Sequence, residues 1–222
     1  MNKEILEWPH PILKKPSSSA IIGNELTKKV IEDLTDTFKV VQGYGLAAPQ
    51  IGHSIRALVV SPRALGINDE EQLLMINPTL DNLGELTPSR EACFSVPEIS
   101  ATVKRHQSCT VNFQDAGGLS HSLELEDLPA FCVQHEIDHL DGKTILDKVG
   151  RMSRSILLKK RRKIQDEKLR LEEEYRKEFE EDQNLYLSDE PSRPKRTSKT
   201  SKAKKRMQRL SRKLNQKKRK KK

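Results

Sequence analysis

Between residues 24 and 41, Leu26, Val30, Ile31, Leu34 and Phe38 recur at helical spacing. The pattern predicts a helix from Asn24 or Glu25 to about Val41, with Gly43 placed to end it. Before it, Ile5–Lys15 carries Pro9 and Pro11, with Pro16 next, and reads as an extended or turning lead-in. After it the rhythm changes. Ala57–Ser61, Leu73–Ile76, Ala101–Lys104, Cys109–Phe113 and His121–Leu125 are short, β-branched or alternating runs divided by Pro, Gly and Asn. They predict small, mostly antiparallel sheets and an α+β fold class. A second helix is expected from about Asp127 to Gly142, with Pro129 tolerated in its first turn. From Ser153 to Leu187, Leu157, Ile164, Leu171, Tyr175 and Phe179 are spaced by seven and four among many charges. That predicts a long, mostly solvated helix with a narrow apolar stripe.

Composition divides the chain further. Of 222 residues 34% are hydrophobic and 33% charged, too few apolar groups for the whole chain to enter a core. Residues 191–222 hold 17 Lys and Arg and no Asp or Glu, which leaves 24 basic against 32 acidic residues before them. A mildly acidic body therefore carries a basic tail. The expected organisation is a catalytic segment over 1–152, a charged helix over 153–187 and a disordered Lys/Arg-rich tail over 188–222. The tail contains Pro191 and Pro194, and then Met207, Leu210 and Leu214 at the spacing of a short helix. Such a segment attracts polyanions, nucleic acid first among them. With no run of 18 apolar residues and no targeting pattern in Met1–Pro11, a cytoplasmic protein is expected. Cys93, Cys109 and Cys132 cannot all pair with one another, so at least one thiol needs another role.

The sharpest motif is His135-Glu136-Ile137-Asp138-His139. Four residues apart on a helix, both imidazoles share one face and can bind one metal ion, with Glu136 beside them as a proton carrier. Catalytic sites of this kind use a third protein ligand and leave a position for water, so that ligand must come from elsewhere. Cys132, three residues before His135, is one candidate; Cys93 is another, although a lone cysteine is commonly a small buried apolar residue. A metallopeptidase would usually take a downstream Glu or His, but no His follows His139 and the later Glu residues fall in the charged helix. A non-catalytic RNA-binding metalloprotein is a third class to weigh, though closed structural sites take four protein ligands and only Cys132 offers a fourth.

Three segments narrow the choice: Gly43-Tyr44-Gly45-Leu46-Ala47-Ala48-Pro49-Gln50, Glu91-Ala92-Cys93-Phe94-Ser95 and Gln134-His135-Glu136-Ile137-Asp138-His139-Leu140. In order and spacing they resemble the three signature motifs of the peptide deformylases, and the likeness runs from about Met1 to Arg154. The family usually has Gly at Ala92, Leu at Phe94 and an aliphatic residue at Tyr44. The resemblance implies Cys93, His135 and His139 as metal ligands, and a single divalent ion, Fe2+ by family habit, with Zn2+, Ni2+ or Co2+ also suited to the donor set. It implies Glu136 as the group that takes a proton from water and returns it to the leaving amine. Gln50 and the backbone N–H of Phe94 would face the developing oxyanion, and Gly45 would let backbone approach the substrate. Tyr44, Leu128, Phe131 and Cys132 would line a pocket for a methionine side chain. The implied reaction is removal of the formyl group from the N-terminal formylmethionine of nascent polypeptides, and the implied partner of the basic tail is ribosomal RNA. Asp138 and Asp141 could orient the histidines as hydrogen-bond acceptors, but a helix-surface charge is the commoner role and the expected one.

Overall fold

The computed structural model describes residues 2–41, 43–66 and 72–188, with side chains as far as residue 180. The basic tail expected to be disordered lies, from residue 189 onward, outside the described residues. The elements follow in order: α1 (Glu25–Val41), β1 (Gly45–Ala47), β2 (Ala57–Val60), a single turn α2 (Pro62–Leu65), β3 (Leu73–Asp81), β4 (Leu86–Cys93), β5 (Val96–His106), β6 (Ser108–Gln114), β7 (Ser120–Glu126), α3 (Leu128–Leu140) and α4 (Arg151–Ser188). The lead-in contains a 3-10 turn at Pro11–Lys14, and a second such turn, Ala48–Ile51, follows β1. The strands form a five-stranded sheet in the order β1-β2-β3-β6-β7 and a separate β4-β5 pair, with every pairing antiparallel. Among the described residues no helix is long and apolar enough to cross a membrane.

Helices cover both faces of the sheet's β1–β2 end. In β2, Ala57 and Val59 pack with Val30, Leu34 and Phe38 of α1, while Leu58 and Val60 pack with Val133, Ile137 and Leu140 of α3. A strand buried on both faces loses the apolar–polar alternation of a one-sided strand, which is why Ala57–Val60 is a continuous apolar run. A third cluster gathers Cys93, Val96, Ile99, Ala101 and Val103 of the β4-β5 pair with Ile145 and Leu146; Trp8, Leu157 and Leu158 pack against it. The helix α3 begins with Pro129 in its first turn, where a missing N–H costs nothing, and ends before Gly142, whose φ of 72° suits glycine.

Chain contacts separate two compact units, Met1–Arg161 and Arg162–Lys222. In the second, Ile164 and Leu171 are half-buried along the expected stripe, and Tyr175 stacks on Phe179 at 6.5 Å between ring centres. Arg176 pairs with Glu180 across one helical turn.

Strand β3 extends five residues past the expected Ile76 end. The Asn77-Pro78 pair falls in a bulge, where the register shifts between Ile76 and Thr79, so the missing proline N–H interrupts no ladder. Asn77 takes a φ of 51°, and its side chain bonds both Ala20 N–H and C=O and the Gln114 amide oxygen. Asn77→Gly keeps the backbone conformation but loses those bonds; Asn77→Ala loses both. Alanine should therefore destabilise the protein by about 1 kcal/mol more than glycine, compared as urea unfolding free energies; equal losses would remove the backbone argument.

Candidate active site

Strand alternation builds one half of the site. Along β4 the inward positions are Thr87, Ser89, Glu91 and Cys93, so Glu91 and Cys93 point the same way. The strand ends in a tight turn, Cys93–Val96, after which Pro97–Ile99 are extra residues on the β5 side. Helix α3 builds the other half, presenting His135, Glu136 and His139 inward because Val133, Ile137 and Leu140 hold its apolar stripe on the sheet. The donor atoms of Cys93, His135 and His139 all lie within 4.8 Å of one another. Cys93 Sγ is 3.1 Å from His139 Nε2, and the two imidazoles meet edge to face at 5.0 Å.

These donors suit a divalent cation. His135 Nδ1 lies 2.8 Å from Glu91 Oε2, which leaves its Nε2 for the cluster. Burial disfavours a charged His135, yet its contacts with Cys93 and Glu91 raise its pKa well above the ordinary value. Burial, with the neighbouring His135, holds His139 well below its own. Glu136 is buried, its Oε2 meets no hydrogen-bond partner, and burial pushes its carboxyl up to about 7. Such a group can accept and release a proton near neutral pH.

Around the cluster, Gln50 is fully buried. Its Oε1 accepts from Ala47 N–H at 2.8 Å, which turns Nε2 toward Ser95 Oγ at 3.2 Å and Cys93 Sγ at 3.8 Å. Gly45 abuts the carboxylate: a Cβ there would lie 2.6 Å from Glu136 Oε1. Absence of a side chain at 45 thus makes room for Glu136 itself. The Phe94 ring lies over Gly43, where any Cβ would strike it. Tyr44, Phe94 and Leu128 are exposed, Phe131 and Cys132 half-buried. Cys132 packs against the α3–sheet core, and burial, aided by Glu136, pushes its thiol up to about 12. A thiol that keeps its proton is a poor ligand, and the cluster forms around Cys93 instead. Cys109 is a buried core residue.

One group carries no sequence signal that marks it for the site. Arg105 of β5 is buried, donates Nε and Nη2 to both Glu91 oxygens at 2.8 and 2.9 Å, and donates Nη1 to Asp138. Asp138, expected on the helix surface, is buried and pairs with Arg105 and Lys148, whereas Asp141 pairs with Arg56 at 2.8 Å nearer solvent. Period-2 geometry could have singled out Glu91, two residues before Cys93; nothing in the sequence distinguishes Arg105 from Lys104 beside it. Ala92 points outward and is absent from the residues with positive φ, so its methyl group strains nothing.

An α+β hydrolase scaffold with a Cys/His/His cluster and a buried carboxylate is the class these features define. The family model for polypeptide deformylase matches residues 2–155. A peptide deformylase of Desulfotalea psychrophila is 38% identical over 160 residues, which cover 72% of this chain and 95% of that protein. One of Wolinella succinogenes is 38% identical over 164 residues, 72% of this chain and 96% of that one. Among solved structures, a peptide deformylase from Legionella pneumophila superposes with a TM-score of 0.69 at 32% identity, covering 77% of this chain and 99% of its own. The Ehrlichia chaffeensis peptide deformylase in complex with actinonin gives 0.65 at 28% identity over 72% of this chain and 96% of its own. The chain belongs to the peptide deformylase family and is a hydrolase.

Burial pushes Glu91 up, but the hydrogen bonds and charges of Arg105 and His135 outweigh it and hold the carboxyl at about 2, against 4.5 ordinarily. A lowered pKa stabilises the fold above the unfolded value and ceases to do so as pH falls through the folded one. Chelator-treated protein should lose up to roughly 3 kcal/mol of unfolding free energy from this group between about pH 4.5 and 2. Glu91→Gln should be less stable than wild type at pH 7, and the gap should narrow across that window. Parallel unfolding curves for the two proteins from pH 6 to pH 3 would rule this out.

Proposed function

We propose that this chain removes the formyl group from the N-terminal formylmethionine of nascent polypeptides, with a divalent cation held by Cys93, His135 and His139. The observation that carries the reading is the convergence of those three donors beside the buried, unpartnered carboxylate of Glu136. When bound, the cation supplies Lewis acidity, which makes water a nucleophile near neutral pH and polarises a carbonyl. Glu136 takes the proton of the attacking water and delivers it to the departing amine nitrogen. Gln50 Nε2 and the backbone N–H of Phe94 stabilise the oxyanion, each worth about 10²–10³ in rate. Tyr44, Leu128, Phe131 and Cys132 receive the methionine side chain. A formyl carbon carries only hydrogen, so close walls around it exclude acetyl and longer acyl groups by clash. Iron is the proposed metal and the cytoplasm the proposed compartment.

Glu136→Gln should retain the metal, since Glu136 is not among the proposed ligands, and lose most formate release from formyl-Met-Ala-Ser. Wild-type turnover with metal bound would exclude Glu136 as the proton carrier.

We assign residues 1–152 to catalysis, 153–187 to a charged helix and 188–222 to docking on ribosomal RNA. The assignment of the tail, which lies outside the described residues from 189, rests on its charge alone. Truncation after Leu187 should leave hydrolysis of a short formyl peptide intact and abolish cosedimentation with ribosomes at moderate salt. For the full chain, log affinity should fall with log salt by about 0.7–0.9 per phosphate contacted. Undiminished cosedimentation of the truncated chain would refute the docking role.

A further inference from the structure

Arg161, on α4, is buried, donates to two acceptors and forms an ion pair with a third group. Its Nη1 donates to Trp8 O at 3.2 Å, its Nη2 donates to Glu7 Oε2 at 2.6 Å, and its Nε lies 3.9 Å from Glu98 Oε2. Each of these leads to the turn that carries Cys93, Phe94 and Ser95. Trp8 N–H donates to Ser95 O at 2.7 Å, and two residues earlier Leu6 N–H donates to Gln50 O at 2.8 Å. Glu7–Trp8 is therefore a strap laid across Gln50 and Ser95, which are themselves joined through Gln50 Nε2 and Ser95 Oγ. Glu98 sits in the three extra residues of β5 directly after the turn and takes a φ of 67°, an unfavourable conformation for a side chain of its kind. Its Oε2 and Arg161 Nε are both buried without a hydrogen-bond partner and lie 3.9 Å apart as an ion pair, a charge–charge contact that offsets the burial of either group. Leu157 and Leu158, one turn before Arg161, pack with Trp8 on the cluster that contains Cys93 and Val96.

We propose that Arg161 is a positioning residue for deformylation: by gripping the Glu7–Trp8 strap and Glu98 together, it fixes the Cys93–Val96 turn and so the direction of the Phe94 N–H. This rests on the activity proposed above. A guanidinium is suited to the task because its rigid fork spans several acceptors, whereas an ammonium offers a single compact charge.

The test uses the full chain with Arg161→Met and Arg161→Lys, on protein shown by circular dichroism to be folded. Small displacements at a catalytic donor are expensive, up to about 10²-fold for 1 Å. For Arg161→Met, kcat on formyl-Met-Ala-Ser should fall about tenfold or more with KM and metal content unchanged, the signature of a contact made only in the transition state. Arg161→Lys should recover part of the loss. Amide hydrogen exchange at Phe94, Ser95 and Val96 should accelerate in Arg161→Met about tenfold or more, while β6 and β7 stay as protected as in wild type. A variant with wild-type kcat and wild-type exchange at 94–96, and only a lower urea midpoint, would overturn the proposal. Should Arg161→Met fail to fold, Arg161→Lys and Glu7→Gln decide by the same exchange measurement: faster exchange at the turn supports the link and unchanged exchange overturns it. A wild-type protein that releases no formate would defeat the proposed activity, and the exchange measurement would still decide the link from Arg161 to the turn.

Discussion

Cys93 comes from a strand and the two histidines from a helix in another layer, and the group between them is the guanidinium of Arg105. It is buried, holding both oxygens of Glu91 on β4 and the carboxylate of Asp138 on α3. A guanidinium cannot lose its proton, so burial obliges it to keep anionic partners. One positive charge with five donors thereby clamps the β4-β5 pair to α3, and the distance between Cys93 and His139 follows from that clamp. Glu91 serves twice, since the same carboxylate bonds His135 Nδ1 and turns that ring's other nitrogen inward. Removing Arg105 would leave Glu91 only His135 and Asp138 only Lys148 as partners, a loss of about 3–5 kcal/mol for broken buried pairs. It would also release the alignment on which the cluster depends.

The same low-polarity surroundings set the chemistry of Glu136. Burial first, with the nearby carboxylates Glu91 and Asp138, drives its carboxyl to about 7, although His135 and Arg105 pull the other way. Only a glycine at 45 leaves the space in which that carboxylate sits, so the backbone of β1 and Glu136 share one constraint. The two nearby thiols meet different neighbours. Cys93 faces two imidazoles, while Cys132 faces core and carboxylate and holds its proton.

Helical periodicity makes α1 and α4 legible in the sequence to within a few residues, Pro129 and Gly142 do the same for the ends of α3, and the four-residue spacing of His135 and His139 is enough to pair two of the three cluster donors. Strand β4 is not legible at all. Its inward face is Thr87, Ser89, Glu91 and Cys93, so the residues that face the interior are polar and no apolar alternation marks it. The site is the reason for that silence, because a strand that carries chemistry inward cannot also carry a hydrophobic stripe. Strand β1 is three residues long and sits in an apolar run that fits a helix as well. Asp138 departs from its expected surface position for a related reason: charge on a helix next to His139 suggests solvent, and its partner Arg105 lies 33 residues away in sequence.

The departures from the family's usual motif residues fall where the geometry uses little of the side chain. At 92 the side chain points away from the cluster and φ is ordinary, so a methyl group alters neither the ladder nor Glu91 and Cys93 on the opposite face. At 94 the proposed contribution is a backbone N–H, which every residue but proline supplies, and the ring is free to turn outward onto Gly43. What a phenylalanine at 94 does require is that position 43 carry no Cβ. Gly43 and Phe94 therefore form a matched pair, as Gly45 and Glu136 do. Both matches place the segment after α1 against Phe94 in the turn after β4 and Glu136 on α3, which makes the backbone of residues 43–45, rather than any side chain on it, one wall of the candidate site.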